Sequence, residues 1–263
     1  MKALKIIKIG GRIIDDPKKL DQVITAFSKL QSPKIMVHGG GNDATEYSKK
    51  FGIEPKIVDG RRITDAESLK IVQMVYAGLI NKNIVARLQA LNCAAIGLSG
   101  ADGNSIAAKK RAVKHIDYGF VGDVVQVNTS VLNKILQCGL TPVFCALTHD
   151  RKGQILNTNA DTIATELSIA FSREYVVDLI FCFEQYGVLS EPGNENSVIS
   201  NLSLLTYRRL KKAGKITEGM IPKLDNAFRA LTAGVKNIYI THFDAINGLE
   251  IKSKSKATQI SAN

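Results

Sequence analysis

A strand-like stretch, Lys34-Ile35-Met36-Val37, runs through His38 into three consecutive glycines, Gly39-Gly40-Gly41. Each glycine costs backbone entropy, so three in a row must be offset by something only glycine allows. About thirty residues earlier a related unit occurs, in which Ile6-Ile7-Lys8-Ile9 runs into Gly10-Gly11. Two strands that end in glycines at the mouth of a helix predict an anion site built from backbone N–H groups, because only glycine lets a phosphate approach the chain so closely. Lys8 adds a point positive charge beside the first turn. Taken alone, Gly10-Gly11 also reads as a tight turn between strand and helix. The P-loop pattern and the Gly-x-Gly-x-x-Gly dinucleotide fingerprint are both missing, which argues against those two nucleotide folds.

A chain of 263 residues can form one large α/β domain or two lobes sharing a sheet. Its net charge of +11, from 35 basic and 24 acidic residues, favours anionic partners. Nucleic acid would fit that charge, but nucleotides and carboxylates fit it equally well. The basic clusters Arg208-Arg209-Leu210-Lys211-Lys212 and Lys252-Ser253-Lys254-Ser255-Lys256 lack interleaved aromatics and read as a solvated helix face and a loop before the last strand. Cys93, Cys138, Cys145 and Cys182 are far apart in apolar contexts and read as reduced core residues. With no apolar leader at the N-terminus and no segment of membrane-spanning length, the expectation is a cytoplasmic protein.

Apolar strands alternate with amphipathic helices along most of the chain, which predicts an α/β fold with a mainly parallel sheet. Asp16-Pro17 opens a helix with Leu20, Val23, Ile24, Phe27 and Leu30 on one face. Thr64 and Glu67 read as a capping box ahead of a long helix carrying Leu69, Val72, Tyr76 and Leu79. Strands are expected at 94–98, 141–147, 176–183 and 237–241. Residues 107–127 read as a β-hairpin around Tyr118-Gly119 and Gly122-Asp123, and Asp150-Arg151-Lys152-Gly153 as the turn of a second hairpin between 144–147 and Ile155-Leu156. The polar segment Ser172-Arg173-Glu174-Tyr175 marks a candidate lobe boundary, giving lobes 1–172 and 173–263, and Pro192-Gly193-Asn194-Glu195-Asn196 reads as a loop.

Four further segments carry candidate chemistry. Asn157-Thr158-Asn159-Ala160-Asp161 precedes an apolar helix, and an Asx-type N-cap is its plain structural reading. Gly219-Met220-Ile221-Pro222-Lys223 starts another helix with a lysine in its first turns, a position that usually faces solvent. In Gly60-Arg61-Arg62 an arginine fork is available for a carboxylate. Ser99-Gly100-Ala101-Asp102-Gly103 follows a strand as a turn or a ligand-facing loop.

In order, Lys-x-Gly-Gly, His-Gly-Gly-Gly, Gly-x-Arg-x-Thr, Leu-Ser-Gly-x-Asp-Gly, Asn-x-Asn-Ala-Asp and Gly-Met-x-x-Lys make one specific set. Over essentially its full length the chain resembles the N-acetyl-L-glutamate kinase branch of the amino acid kinase family. The resemblance implies a three-layer αβα sandwich, with an amino-acid lobe and dimer face in 1–172 and a nucleotide lobe in 173–263. It implies ATP, with Mg²⁺ carried on its phosphates, as phosphoryl donor to the side-chain carboxylate of an N-acylated glutamate in arginine biosynthesis. Lys8 and Lys223 would then stabilise the transferring phosphoryl group and Asp161 would hold the lysines. Gly10, Gly11 and Gly40 would donate N–H bonds to phosphate. Gly40, Gly41, Arg62, Asn157 and Asn159 would hold the amino-acid substrate, and Glu184, Tyr186, Gly187, Val188, Thr217 and Gly219 the nucleotide.

Chemistry agrees with those roles. A glutamate side chain, with a reference pKa of about 4.3, is already ionised at neutral pH, so no general base is needed. What the transfer needs is relief of repulsion between two anions. His38 is therefore expected to be structural, and His115, His149 and His242 show no metal-ligand spacing. Two departures stand out. Glu184-Gln185-Tyr186-Gly187 replaces the Asp-Val-x-Gly segment usual in such kinases, and Arg12 follows the first glycine pair where an apolar residue is usual. With Arg61, Arg12 is a candidate to meet the extra carboxylate of an N-succinyl substrate. Aspartate, carbamate and uridylate kinases of the same fold explain fewer of the motifs. A catalytically silent sensor does not explain why both lysines and Asp161 are kept. Because the arginine-inhibited members carry a helix ahead of the first strand, the expectation is a homodimer without arginine feedback.

Overall fold

The computed structural model describes residues 1–31, 33–58, 61–191, 193–216, 219–248 and 257–262. Gly60, Pro192, Thr217 and the basic run 252–256, all singled out above, lie outside the described residues. By packing, the chain forms two compact units: Met1–Lys34 with Ala164–Asn263, and Ile35–Ile163. The polar segment 172–175 is the short link between the helix Ala160–Phe171 and the strand Val176–Phe183.

In the first unit, strands lie in the order Asn201–Ser203, Ala257–Ser261, Asn237–His242, Val176–Phe183, Ala3–Ile9. Ala3–Ile9, Val176–Phe183 and Asn237–His242 run parallel, with Lys8 beside Phe181 and Cys182 beside Thr241. Burial on both faces explains their continuous apolar sequences. Ala257–Ser261 is antiparallel to Asn237–His242. The Asp16 carboxylate accepts from Lys18 N and Lys19 N, which fixes the start of the helix Pro17–Ser28. That helix buries Leu20, Val23, Ile24 and Phe27.

In the second unit, Lys34–His38, Thr141–Phe144 and Ala95–Leu98 are parallel strands. Beside them a four-stranded sheet orders Ile155–Asn157, Leu147–His149, Ile106–Lys110 and Gly122–Val127, and a short ribbon pairs Ile57–Val58 with Arg61–Arg62. Both hairpins form, with altered turns. Lys110 pairs with Gly122, so residues 111–121 form a long connection. Tyr118 and Phe120 are kept out of the hairpin because their backbones bond Thr64, through Thr64 N→Tyr118 O at 3.0 Å and Phe120 N→Thr64 O at 2.7 Å. The second hairpin begins at Leu147, one strand later than expected, and turns where Asp150 accepts from Lys152 N and Gln154 N.

Three sequence expectations need correction. The helix Ala66–Gln73 is capped by Asp65, which accepts from Ser68 N, because the Thr64 hydroxyl is engaged by Arg62 O and Asn157. Leu79 is exposed although Leu69, Val72 and Tyr76 are buried as expected, since Met74–Ile80 is a π-helical segment whose wider turns bring Val75 and Ile80 inward instead. Cys138 is also exposed, at the end of the helix Thr129–Gln137, while the other three cysteines are buried.

Candidate active site

In parallel α/β sheets, ligands gather where strands deliver their carboxyl ends. In the unit Ile35–Ile163, the strand Lys34–His38 delivers the triple glycine in this way. His38 is fully buried. Its Nδ1 lies 2.7 Å from Gly39 O, an acceptor only, so Nδ1 carries the proton. Nε2 then accepts from Asn81 Nδ2 at 3.0 Å, and the same amide donates to Val143 O at 2.9 Å. Burial pushes the imidazole down to about 4, so His38 is a neutral brace for the glycine turn. Asn81 follows the π-helical segment directly, and a side chain at Gly97 would collide with its carboxamide.

Gly40 takes a φ of +150° and caps the helix Gly41–Lys50, and Tyr76 and Ile80 close over it. The N-terminal end of that helix, with its positive dipole, suits a carboxylate or phosphate. Arg62 is docked there: its Nη2 donates to Gly41 O at 2.9 Å and Thr45 Oγ1 at 2.6 Å. Nη1 of Arg62 is shielded from solvent without a hydrogen-bond partner among the described residues, so a donor remains for a ligand anion. Burial raises the Tyr76 hydroxyl pKa, and the Arg62 beside it opposes that shift. Asn157 is buried, and its amide donates to Thr64 Oγ1 at 3.0 Å. Asn159 is exposed and accepts from Thr162 N at 3.1 Å, so it is the N-cap of Ala160–Phe171. Asp161 is buried in the first turn of that helix. In the 99–103 turn, the Asp102 carboxylate accepts from Ser99 N and Ser99 Oγ, closing the turn on itself.

In the other unit, Lys8 is buried near the end of the strand Ala3–Ile9. Burial pushes the Cys182 thiol up to about 12 against the pull of Lys8, which leaves it inert. Gly10 N donates to Cys182 O at 3.3 Å, and Gly11 opens the single turn Gly11–Ile14. Glu184 meets Lys19 at 2.6 Å and Arg12 at 3.4 Å, and these two cations hold its carboxyl below the ordinary range, Lys19 most strongly. Arg12 is 81% exposed, with its charge committed to Glu184 rather than to a pocket. Tyr186 stacks on His242 at 4.6 Å between ring centroids. Gly187 leaves room for Thr258, whose hydroxyl accepts from Val188 N at 2.7 Å. Val188, Leu189, Ile216 and Met220 line an apolar cleft. Gly219 is exposed ahead of the helix Ile221–Thr232, and Lys223 sits in its first turn, half-buried.

Sequence reading missed Thr45 and Asn81, and placed Tyr76 only on a helix face. For Asn81 the available signal was Gly97, an isolated glycine inside an apolar strand, which marks close approach by another group.

A model of the amino acid kinase family matches residues 3–242. The chain belongs to the amino acid kinase family. The acetylglutamate kinase of Cytophaga hutchinsonii is 52% identical to this amino acid kinase over the full length of both chains. That of Parabacteroides distasonis is 48% identical over 94% of this chain and 97% of its own. Among solved structures, the N-acetylglutamate synthase of Neisseria gonorrhoeae, crystallised with coenzyme A and N-acetyl-glutamate, matches with a TM-score of 0.84 at 20% identity. The match covers all of this chain and 60% of that one, and it shows the shared fold. Among the described residues of this kinase no helix is long and apolar enough to cross a membrane, and no three His, Cys, Asp or Glu side chains converge as a cation cage.

Proposed function

We propose that this kinase transfers the γ-phosphoryl group of ATP to the side-chain carboxylate of N-acetyl-L-glutamate, the acyl phosphate-forming step of arginine biosynthesis. The observation that carries the reading is the end-to-end likeness to the Cytophaga hutchinsonii acetylglutamate kinase, 52% identical over the full length of both chains. A carboxylate oxygen attacks the γ-phosphorus, the bond to the β,γ-bridging oxygen breaks, and ADP leaves. No proton has to move from the nucleophile, so no protein base is required.

The protein's task is electrostatic. Lys8 and Lys223 neutralise the transferring group, and Asp161 keeps the lysines oriented. Gly10, Gly11 and Gly40 mark the turns where phosphate approaches the backbone. Arg62 takes the α-carboxylate with its unpartnered Nη1, supported by Gly40, Gly41, Asn157 and Asn159. Val188 and its apolar neighbours receive the base, and Glu184, Tyr186, Gly187, Thr217 and Gly219 complete the nucleotide segment. The groups that face phosphate are N–H donors and cations, so a Mg²⁺ would be carried by the nucleotide phosphates, where it would screen negative charge. The acyl-glutamate functions fall in 1–172 and the nucleotide functions in 173–263. The enzyme is proposed to act as a cytoplasmic homodimer.

The test is ADP release measured with N-acetylglutamate, N-succinylglutamate, glutamate and aspartate. Turnover should require the N-acylated substrate, and Lys8→Ala and Lys223→Ala should each lower kcat roughly a hundredfold or more. Turnover with free glutamate or aspartate alone would replace the assignment.

A further inference from the structure

On the two-residue strand Arg61–Arg62, neighbouring side chains point to opposite faces. Arg62 meets Gly41 and Thr45, whereas Arg61 lines a separate cavity of about 400 Å³. Its other walls are Arg111, Lys114, His115, Tyr118 and Asp123, with Ala112 and Ile116. Among the described residues the cavity carries one carboxylate. Asp123 is bound by Arg111, with Nε at 3.1 Å and Nη2 at 2.6 Å from Oδ1, so its charge is already matched. Nη1 of Arg111 is shielded from solvent and has no hydrogen-bond partner among the described residues, and its guanidinium stands 5.6 Å from the Tyr118 ring centroid. Arg61 and Lys114 therefore add positive charge that no other carboxylate balances among the described lining residues. The nearby Asp117 carboxylate accepts from Gly119 N inside the loop.

We propose that this cavity binds a small polyanion, a molecule with two or more phosphoryl or carboxylate groups, as an effector site. The cavity is concave, and the Arg111 fork and the Lys114 ammonium offer complementary ways of holding charged oxygens. It is wired to the substrate residues. The loop that supplies Arg111, Lys114 and Tyr118 also clamps Thr64 from both sides, through Tyr118 O and Phe120 N. Thr64 lies two residues after Arg62 and holds the amide of Asn157, while Asn157 N donates to Phe120 O. An anion that draws the 111–118 segment toward Arg61 therefore acts on the segment that carries Arg62 and Asn157. That second half rests on the acetylglutamate reading, whereas the binding half does not.

The test uses the full-length enzyme saturated with ADP and N-acetylglutamate, Mg²⁺ being omitted from the calorimetry. Pyrophosphate and citrate are titrated separately into wild type and into the double variant Arg61→Ala/Lys114→Ala. At least one probe should bind wild type at one site, and the variant should bind it about tenfold more weakly or worse. Tighter pyrophosphate binding assigns a phosphorylated ligand, and tighter citrate binding a polycarboxylate. The bound probe should also shift the KM for N-acetylglutamate at least about twofold in wild type and leave the variant unmoved. Binding of neither probe, or equal binding by the variant, overturns the site. Binding without any KM shift overturns its effector role. Without probe, both proteins should turn over N-acetylglutamate equally, and failure of that control in wild type counts against the reaction assignment rather than the pocket.

Discussion

The two glycine turns, Gly39-Gly40-Gly41 and Gly10-Gly11, look alike in sequence and differ in what requires the glycine. At Gly40 the protein itself does. A φ of +150° is poorly tolerated by other residues, and an added Cβ would run into Ile80 and the Tyr76 ring. At Gly10 nothing among the described residues requires glycine: φ is −81°, and the nearest atoms to an added Cβ are 3.7 and 3.9 Å away, ordinary contact. One turn is shaped by packing around a braced histidine. The other keeps its glycine for something that approaches from outside, which is what a phosphate-binding turn needs. A glycine pattern can therefore mark packing, ligand approach or both, and only the surroundings separate them.

The sharpest way to break this contrast is Gly40→Ala. Strain plus overpacking should cost about 3 kcal/mol or more, seen as a large fall in urea midpoint or as failure to fold. A variant as stable as wild type would show that Tyr76 and Ile80 yield easily.

Acid should expose the brace next. His38 resists protonation down to about 4, whereas its unfolded form takes a proton near 6.5. The unfolded state thus binds more protons between those values, and stability is lost as pH falls from 6.5 to 4, by about 3 kcal/mol in total. Urea unfolding across that window should show uptake of one proton that His38→Gln removes. An identical slope in the variant would place the titration elsewhere.

Much of this was legible from residues alone. Asp16-Pro17, the parallel strands and both hairpins announce themselves through caps, apolar runs and turn residues, because local chemistry decides them. The misplacements have a common cause in long-range contact. Thr64 looked like a cap, but it is recruited by Asn157 and the 118–120 backbone, leaving Asp65 to cap. Leu79 fits an ideal α-helical face, and the π-helical segment that turns it outward has no signal in helix periodicity. The motif residues were visible, whereas Thr45 and Asn81 were not, and Tyr76 was visible only as part of a helix face, since supporting side chains carry no pattern of their own.

Arg62→Lys sharpens the comparison from the ligand side. A point charge cannot span Gly41 O, Thr45 and a substrate carboxylate, so KM for N-acetylglutamate should rise about tenfold with stability nearly unchanged. An unaltered KM would remove Arg62 from the substrate site. Arg12→Ala should do least. Its exposed pairing with Glu184 contributes at most about 1 kcal/mol, and the ratio of activity on N-acetyl and N-succinyl substrates should not move. A selective loss with the succinyl compound would restore Arg12 as an acyl-group determinant.

The most direct test of the central claim is Gly10→Ala, assayed for melting temperature and for ATP-dependent phosphorylation of N-acetylglutamate. If the Gly10 turn is shaped by the phosphate it receives, the variant should melt within about 2 °C of wild type, a stability change well under 1 kcal/mol. Its kcat/KM for ATP should nonetheless fall at least about tenfold. Near-wild-type turnover in a stably folded Gly10→Ala protein would contradict the account.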